Sequence, residues 1–361
     1  MILDLFAGPG GWDVGARSIG VHVDLGIEWD KHACATAEAA GFARLQADIA
    51  ALNPRDVAPH GLTGLIASPP CQAWSMAGKR KGEMDRANCH ALAERMVSGD
   101  DSIDWTDWED DKSPLVCQPI RWVRDLRPEW VALEEVPAVA SLWEHFARIF
   151  RGWGYSVWTG DLNSADYGVP QTRTRRILIA RCDGHAAAPP APTHTAEPQG
   201  GDLFGDVLSR WVSMADALGW APTDVIRPAR GAGMTERHGA RPDHPATMPA
   251  PTVISKSRSW IRGNQRTSTT GRYYQRRVTE PAPTLTGVVR SWDWTDGSSA
   301  PKGTGVKVDI AEASVLQSFP RDYPWFGGRS KQFEQVGNAV PPLLAAHVLR
   351  AAGAVAVERA A

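Results

Sequence analysis

Short runs of apolar residues, each closed by glycine, proline or an acid, alternate with stretches of helical texture along the first half of the chain. Residues 2–6 (ILDLF) predict a buried strand, residues 7–11 (AGPGG) a glycine-rich turn, and a helix follows from Trp12. Residues 21–28 predict a second strand ending in Glu28, residues 31–40 a helix, and residues 65–67 a third strand running into Ser68-Pro69-Pro70-Cys71. Two later apolar runs, 130–133 (ending at Glu134) and 176–180, complete the set. Strands without internal alternation, separated by helices, are what a mainly parallel sheet covered on both faces requires. The expected fold class is α/β, Rossmann-like, with the first turn at the ligand-binding edge.

The texture changes after Cys182. Residues 186–202 are rich in Ala, Pro, Thr and Gly, as a boundary is, and the next hundred residues have little helical periodicity. They contain a two-copy repeat: Pro249-Ala250-Pro251-Thr252 with Arg258-Ser259-Trp260 recurs 32 residues later as Pro281-Ala282-Pro283-Thr284 with Arg290-Ser291-Trp292. From Asp309 the α/β texture returns, and residues 341–358 predict a closing helix. The expected organisation is a first domain over 1–185, a smaller irregular β-rich domain over 186–305, and a return to the first over 306–361.

Composition changes this picture in one respect. The net charge is −2, yet residues 226–277 hold 11 Lys and Arg against 2 Asp and Glu, which leaves the remainder of the chain strongly acidic. A basic segment in an acidic protein is the footprint of a polyanion-binding surface. No apolar run approaches the roughly 18 residues of a membrane helix. The first residues lack the basic region and cleavage site of a signal peptide. Five scattered cysteines with no CxxC pair point to a reducing compartment, so a cytoplasmic protein without a structural metal is expected. A second charged stretch, residues 100–111, carries seven acids around Trp105 and Trp108. It lacks the spacing of a calcium loop and is read as a solvated acidic loop.

The glycine turn after the first strand, with an acid ending the second, implies a nucleotide-like cofactor. A dinucleotide fingerprint begun at Gly8 needs glycine where Asp13 stands, which favours S-adenosylmethionine over NAD. Glu28 can accept the ribose hydroxyls, Trp29 offers an aromatic face to adenine, and Asp48 stands where it can reach the adenine amino group. The Pro-Pro pair before Cys71 stiffens the chain and directs the next side chain. A cysteine so placed at a strand end is a candidate nucleophile, whereas Cys34, Cys117 and Cys182 are read as buried apolar residues.

Four blocks, 4–11 (DLFAGPGG), 69–72 (PPCQ), 167–175 (YGVPQTRTR) and 337–342 (GNAVPP), resemble in order and spacing those of the DNA (cytosine-5)-methyltransferases; 317–320 (QSFP) resembles the block before the last. The resemblance spans almost the whole chain and implies the S-adenosylmethionine-dependent methyltransferase fold with an inserted target-recognition domain. It assigns catalysis to Cys71, Glu134, Arg173 and Arg175. Cysteine would attack carbon 6 of a flipped-out cytosine, and the glutamate would bind and protonate the base. Cofactor contacts fall to Phe6, Gly8, Gly10, Glu28, Trp29, Asp48, Ile49, Pro70, Asn338 and Val340. DNA contacts are expected from Gln72, Ser75 and Gln171, and from Arg258, Arg262, Arg266, Arg272 and Arg276 of the basic segment.

The implied partner is double-stranded DNA, the implied state a monomer, and a cognate restriction endonuclease acting independently is compatible with the family. The chain begins almost on its first strand, so no amino-terminal regulatory module is expected. Two departures from the pattern stand out. Glu135 replaces the asparagine usual after the glutamate, and its charge is expected to raise the pKa of Glu134. The stretch from Cys71 to Glu134 is long and includes the acidic residues, which are expected to fold away from DNA. Two rival readings are a tRNA-modifying relative, whose Cys-Phe-Thr signature is absent here, and a DNA-binding protein that has lost catalysis.

Overall fold

A computed structural model of the chain describes residues 1–74, 81–198, 208–219 and 306–354, together with short segments at 224–228, 260–264, 276–277, 279, 281–283 and 293–294; for the strands between 224 and 307 it describes the backbone. The chain divides into two compact units. One comprises Met1–Leu162, Thr174–Ala191 and Leu344–Ala361, the other Asn163–Arg173 and Pro192–Leu343. The second unit is thus wider than the expected 186–305. It takes in the 163–173 loop and most of the chain after 306, which the texture of the sequence had grouped with the first domain.

In the first unit the chain runs β1 (Ile2–Leu5), α1 (Gly11–Ser18), β2 (Leu25–Glu28), α2 (Lys31–Ala39), β3 (Arg44–Gln46), α3 (Pro54–Val57), β4 (Gly64–Ala67), α4 (Lys81–Val97), α5 (Gln118–Leu126), β5 (Trp130–Glu135), α6 (Ala140–Gly152) and β6 (Ser156–Asn163). After the two-residue strand β7 (Gln171–Thr172) of the second unit it returns as β8 (Thr174–Arg181). The seven-stranded sheet has the order β3-β2-β1-β4-β5-β8-β6. Strands β3 to β5 pair in parallel and β8 runs antiparallel to β5. β2 starts later than the sequence predicts. The Asp24 carboxylate accepts the Ile2 N–H at 2.6 Å, so ladder pairing begins at Leu25 opposite Leu3.

The core explains the continuous apolar runs. Leu3, Leu5, Leu65, Ala67, Val131, Leu133, Leu178 and Ala180 face α4, α5 and α6 and pack with Trp122, Trp143, Phe146 and Phe150. Strands covered on both faces have no solvent side to mark with polar residues.

The second unit contains β9 (His194–Thr195), β10 (Ser209–Arg210), α7 (Met214–Leu218), β11 (Asp224–Pro228), β12 (Trp260–Asn264), β13 (Arg276–Arg277), β14 (Ala282–Pro283), β15 (Asp293–Trp294), β16 (Val306–Lys307), α8 (Ile310–Leu316) and α9 (Arg329–Asn338). Its main sheet is β12-β11-β15-β16, with β13 also paired to β11. Of the internal repeat, residues 249–252 and 290–292 lie outside the described residues. The closing helix α10 (Pro342–Ala352) ends at Gly353, whose φ of +95° suits glycine, and Arg181 donates to the Ala351 carbonyl at 3.2 Å. Residues 355–358 of the expected helix lie outside the described residues. Among the described residues no helix is long and apolar enough to cross a membrane.

Candidate active site

The carboxyl ends of β1, β2, β4 and β5 form one edge of the sheet. Leu5 is in register with Ala67, and Ala67 with Leu133, so Phe6, Ser68 and Glu134 follow the same paired row. The turn after β1 is tight. Phe6 has φ +59° and Gly8 φ +54°, the left-handed region that an aromatic residue adopts only under constraint from its surroundings. No atom lies within 4 Å of where a side chain on Gly8 would begin, so the crest of the turn faces open space. Gly10, φ +107°, caps α1.

Glu28 closes the far side of this space. Its two oxygens accept the Gly8 and Asp30 N–H groups, each at 2.8 Å. The carboxylate is thereby fixed in place, while its remaining lone pairs are available to hydroxyl donors. Next to it Trp29 is 70% exposed, and Asp48 spends one oxygen on the Ala50 N–H at 2.9 Å. Ile49 turns its side chain into the core and gives its carbonyl to Arg121 at 2.6 Å. An open glycine crest, an exposed indole and an anchored carboxylate fit an adenosyl cofactor.

Arg44, which carries no motif, braces this turn. Asp13 pairs with Arg44 at 2.6 Å, both side chains buried, and Arg44 also donates to the Gly8 carbonyl at 3.4 Å. The acid that breaks the dinucleotide fingerprint is therefore one half of a buried ion pair. Asp4, beneath it in β1, is fully buried with no hydrogen-bond donor on either oxygen. Burial, then the Asp13 charge, push its pKa well above the usual carboxylate range against the opposing pull of Arg44. Arg44 has no local sequence signal, because its partner Asp13 lies on another element.

At the end of β4, Trp12 donates its indole N–H to Ser68 at 2.9 Å, linking α1 to the Pro-Pro segment. Pro70, with φ −62° and ψ 115°, leads into a short 3-10 turn, Cys71–Ala73, in which Cys71 is half-buried and Gln72 exposed. Ser75 lies outside the described residues. On β5, Glu134 is 6% exposed and its Oε1 lies 2.8 Å from Arg175 Nε on β8. This is a charge contact rather than an aligned hydrogen bond, since the same oxygen receives no well-directed N–H. Arg175 is further held by donation to the Thr174 carbonyl at 2.8 Å. The structure thus joins Glu134 and Arg175, as the sequence had grouped them.

Glu135 behaves differently from expectation. It is 1% exposed; Oε2 accepts the Val136 N–H and Oε1 has no donor. Burial pushes its pKa well above the ordinary range, with the Glu134 charge adding to the effect and Arg175 opposing it. Burial thus favours its protonated, uncharged form. A proton held there would remove the charge that was expected to act on Glu134.

Among the other cysteines, Cys34 and Cys117 are buried as expected, but Cys182 is exposed, because it follows the last residue of β8.

In the second unit, Arg173 is 2% exposed and donates to the Gly337 carbonyl at 2.9 Å. Gln171, expected on DNA, is fully buried: its side chain donates to Gln317 at 2.5 Å and to the Leu316 carbonyl at 3.3 Å. Gln317 in turn donates to the Ala339 carbonyl at 2.6 Å. Three motif blocks, 171–173, 317 and 337–339, are thus partners in one buried hydrogen-bond network, a role that separate motifs do not reveal. Asn338 is exposed at the end of α9 and Val340 is buried. Arg262 lies on β12 opposite Ile226, and Arg276 on β13, with backbone alone described; Arg258, Arg266 and Arg272 lie outside the described residues. No cluster suited to a metal occurs among the described residues.

The seven-stranded, mostly parallel sheet with helices on both faces is the fold of the S-adenosylmethionine-dependent methyltransferases. The chain belongs to the C-5 cytosine-specific DNA methylase family, which it matches over residues 1–97 and 105–354; it is a DNA (cytosine-5)-methyltransferase. The interruption at 98–104 falls in the acidic stretch. The chain is 28% identical over 366 residues to the type II methyltransferase M1.HphI of Haemophilus parahaemolyticus, covering 97% of this chain and 85% of that protein. It is 24% identical to the type II methyltransferase M.DdeI of Desulfomicrobium norvegicum over 95% of this chain and 86% of that one. Its fold resembles a Spodoptera frugiperda DNMT2 mutant, with a TM-score of 0.60, 14% identity and coverage of 98% of this chain and 99% of that chain. At that identity the likeness bears on the fold.

Proposed function

We propose that the protein moves a methyl group from S-adenosylmethionine to carbon 5 of a flipped-out cytosine in a specific duplex DNA sequence, through a transient bond between Cys71 and carbon 6. The observation that carries this reading is the paired Glu134 and Arg175 on β5 and β8, at the sheet edge where β4 delivers Cys71. A stacked base is out of reach of a side chain, so the nucleotide must leave the duplex. Cys71 Sγ bonds to carbon 6 as a thiolate, and the carbon 5–carbon 6 π electrons move to carbon 5. Glu134 binds the polar edge of the base and donates a proton to the ring nitrogen. Arg175 holds that carboxyl group and offsets the negative charge that develops on the ring. When bound, S-adenosylmethionine supplies an electrophilic sulfonium methyl. Once carbon 5 carries the methyl group, it loses its proton to a base, the Sγ–carbon 6 bond breaks, Cys71 returns as a thiolate, and the ring-nitrogen proton goes back to Glu134.

Phe6, Gly8, Gly10, Glu28, Trp29, Asp48 and Pro70 of the first unit hold the cofactor in this scheme. Arg173 acts through Gly337, by holding the turn that carries Asn338, rather than on the base. The second unit reads the target sequence, with the basic segment on the phosphates and base edges. In this reading a cognate restriction endonuclease acts independently, and the enzyme works as a monomer in the cytoplasm.

Transfer of labelled methyl to duplex DNA, with tRNA and the Cys71→Ala protein in parallel, tests the proposal. Label in DNA and none with Cys71→Ala is expected; label in tRNA alone, or undiminished label with Cys71→Ala, would overturn it.

A further inference from the structure

The turn that carries Cys71 is followed closely by α4, and the two pack backbone against backbone. A Cβ on Gly82, in the first turn of α4, would sit 2.9 Å from the Ala73 carbonyl oxygen and 2.9 Å from Trp74 Cδ2. Trp74 itself is 3% exposed, so the helix start and the Cys71 turn share one packed surface.

One helical turn on, Arg86 lies over the Trp74 ring, 5.3 Å from its centroid. Its guanidinium then reaches across to the chain that leaves β5: Nη1 donates to Ser141 Oγ at 2.5 Å and Nη2 to the Ala138 carbonyl at 2.8 Å. Glu83 accepts from Nε at 2.9 Å and from Nη2 at 2.6 Å, and so fixes the orientation of the fork. A helix needs no more than the Glu83 pair for local support. The two additional bonds span 55 and 52 residues of sequence and tie α4, which packs on the Cys71 turn, to residues 138–141, a few positions after Glu134 and Glu135.

We propose that Arg86 is a positioning residue for methyl transfer, setting the Cys71 turn against the end of β5. The inference rests on the assignment of Cys71 and Glu134 made above. Nucleophile and acid must meet carbon 6 and the ring nitrogen, on opposite sides of one pyrimidine ring, so their separation has little tolerance. A misplacement of about 1 Å commonly costs on the order of a hundredfold in rate. Lysine at this position keeps a charge near Trp74 but has no planar fork to span Ser141 and Ala138.

The test compares Arg86→Met, Arg86→Lys and Ser141→Ala with the unmodified enzyme on duplex DNA. Rates are expressed per active site, counted as iodoacetamide-alkylated Cys71 in the digested peptide that contains it, because Cys182 is also exposed. The expected result for Arg86→Met is a kcat lower by about ten- to a hundredfold, with KM for DNA and for S-adenosylmethionine within about threefold. Arg86→Lys should recover part of the loss, and Ser141→Ala should lose less than Arg86→Met. Should Arg86→Met fail to fold, the Lys and Ser141→Ala pair carries the same comparison. An unchanged kcat per active site, or a rise in KM at unchanged kcat, would overturn the inference. Retained transfer by Cys71→Ala is the separate outcome that would remove the underlying site assignment instead.

Discussion

At the end of β5 two consecutive acids share one nearby guanidinium, and the two fare differently: Arg175 pairs with Glu134, while Glu135 has only the Val136 amide. Burial favours the protonated form of Glu135 in the folded state. The sign of the pH effect follows. Between the ordinary glutamate pKa and the raised folded value, the native state binds a proton that the unfolded chain has released. Stability therefore falls as pH rises through that window. Glu135→Gln should flatten this slope and raise stability at neutral pH, measured by urea unfolding across pH; Asp4→Asn should act in the same direction. An unaltered slope in both variants would mean that these acids ionise in the fold. The place of Cys71 in a turn after β4 was legible in the sequence because the apolar run and its Pro-Pro stop are local, and that of Glu134 because it closes a strand run. The state of Glu135 was not, since burial without a counter-charge is a property of the folded core. Gln171 was misread for a related reason: a polar side chain in a DNA-enzyme motif looks like a contact until its partner, Gln317, is seen 146 residues away.

Among elements, the strand–turn–helix at the start of the chain depends on a residue from β3. Arg44 neutralises Asp13 within a buried pair and also touches the Gly8 carbonyl. Removing one partner of a buried ion pair strands the other, typically at a cost of about 3–5 kcal/mol. Arg44→Met should therefore lower unfolding stability by that order and weaken S-adenosylmethionine binding, measured by denaturation and calorimetry; a stable variant with normal cofactor affinity would show that the brace is dispensable. The acidic stretch also belongs at this scale. It reads as a solvated loop, yet it is folded against its neighbours. Asp101 pairs with Arg124 at 2.8 Å, Asp100 with Arg95 at 2.7 Å, and the buried Asp85 accepts the Glu109 and Asp110 N–H groups at 2.9 and 3.1 Å. Strands were legible from their apolar runs because the sheet is covered on both faces. The tethering of this segment was not, because Arg124 and Asp85 belong to α5 and α4 and carry no signal of their own.

For the whole molecule, the near-neutral total of −2 conceals the +9 balance of residues 226–277, and it is the local charge that a polyanion meets. Affinity for duplex DNA should fall steeply with salt. Replacing Arg262 and Arg276 by alanine should weaken binding and reduce the log–log salt slope by about 1 per lost phosphate contact, leaving cofactor affinity unchanged. A slope untouched by both changes would place the DNA elsewhere. The α/β class and the order of the chemical blocks were legible because each block is local in sequence. The division into units was less so, since residues 310–343 have the texture of the first unit but belong to the second. The central claim is that Cys71 bonds covalently to the target cytosine, and its most direct test uses duplex DNA in which that base is 5-fluorocytosine. Fluorine at carbon 5 cannot leave as a proton does, so the intermediate should accumulate. The predicted result, by mass spectrometry of the digested complex with S-adenosylmethionine present, is a nucleotide adduct on the peptide containing Cys71. An adduct on another residue, or none from an enzyme that methylates ordinary duplex DNA, would contradict the account.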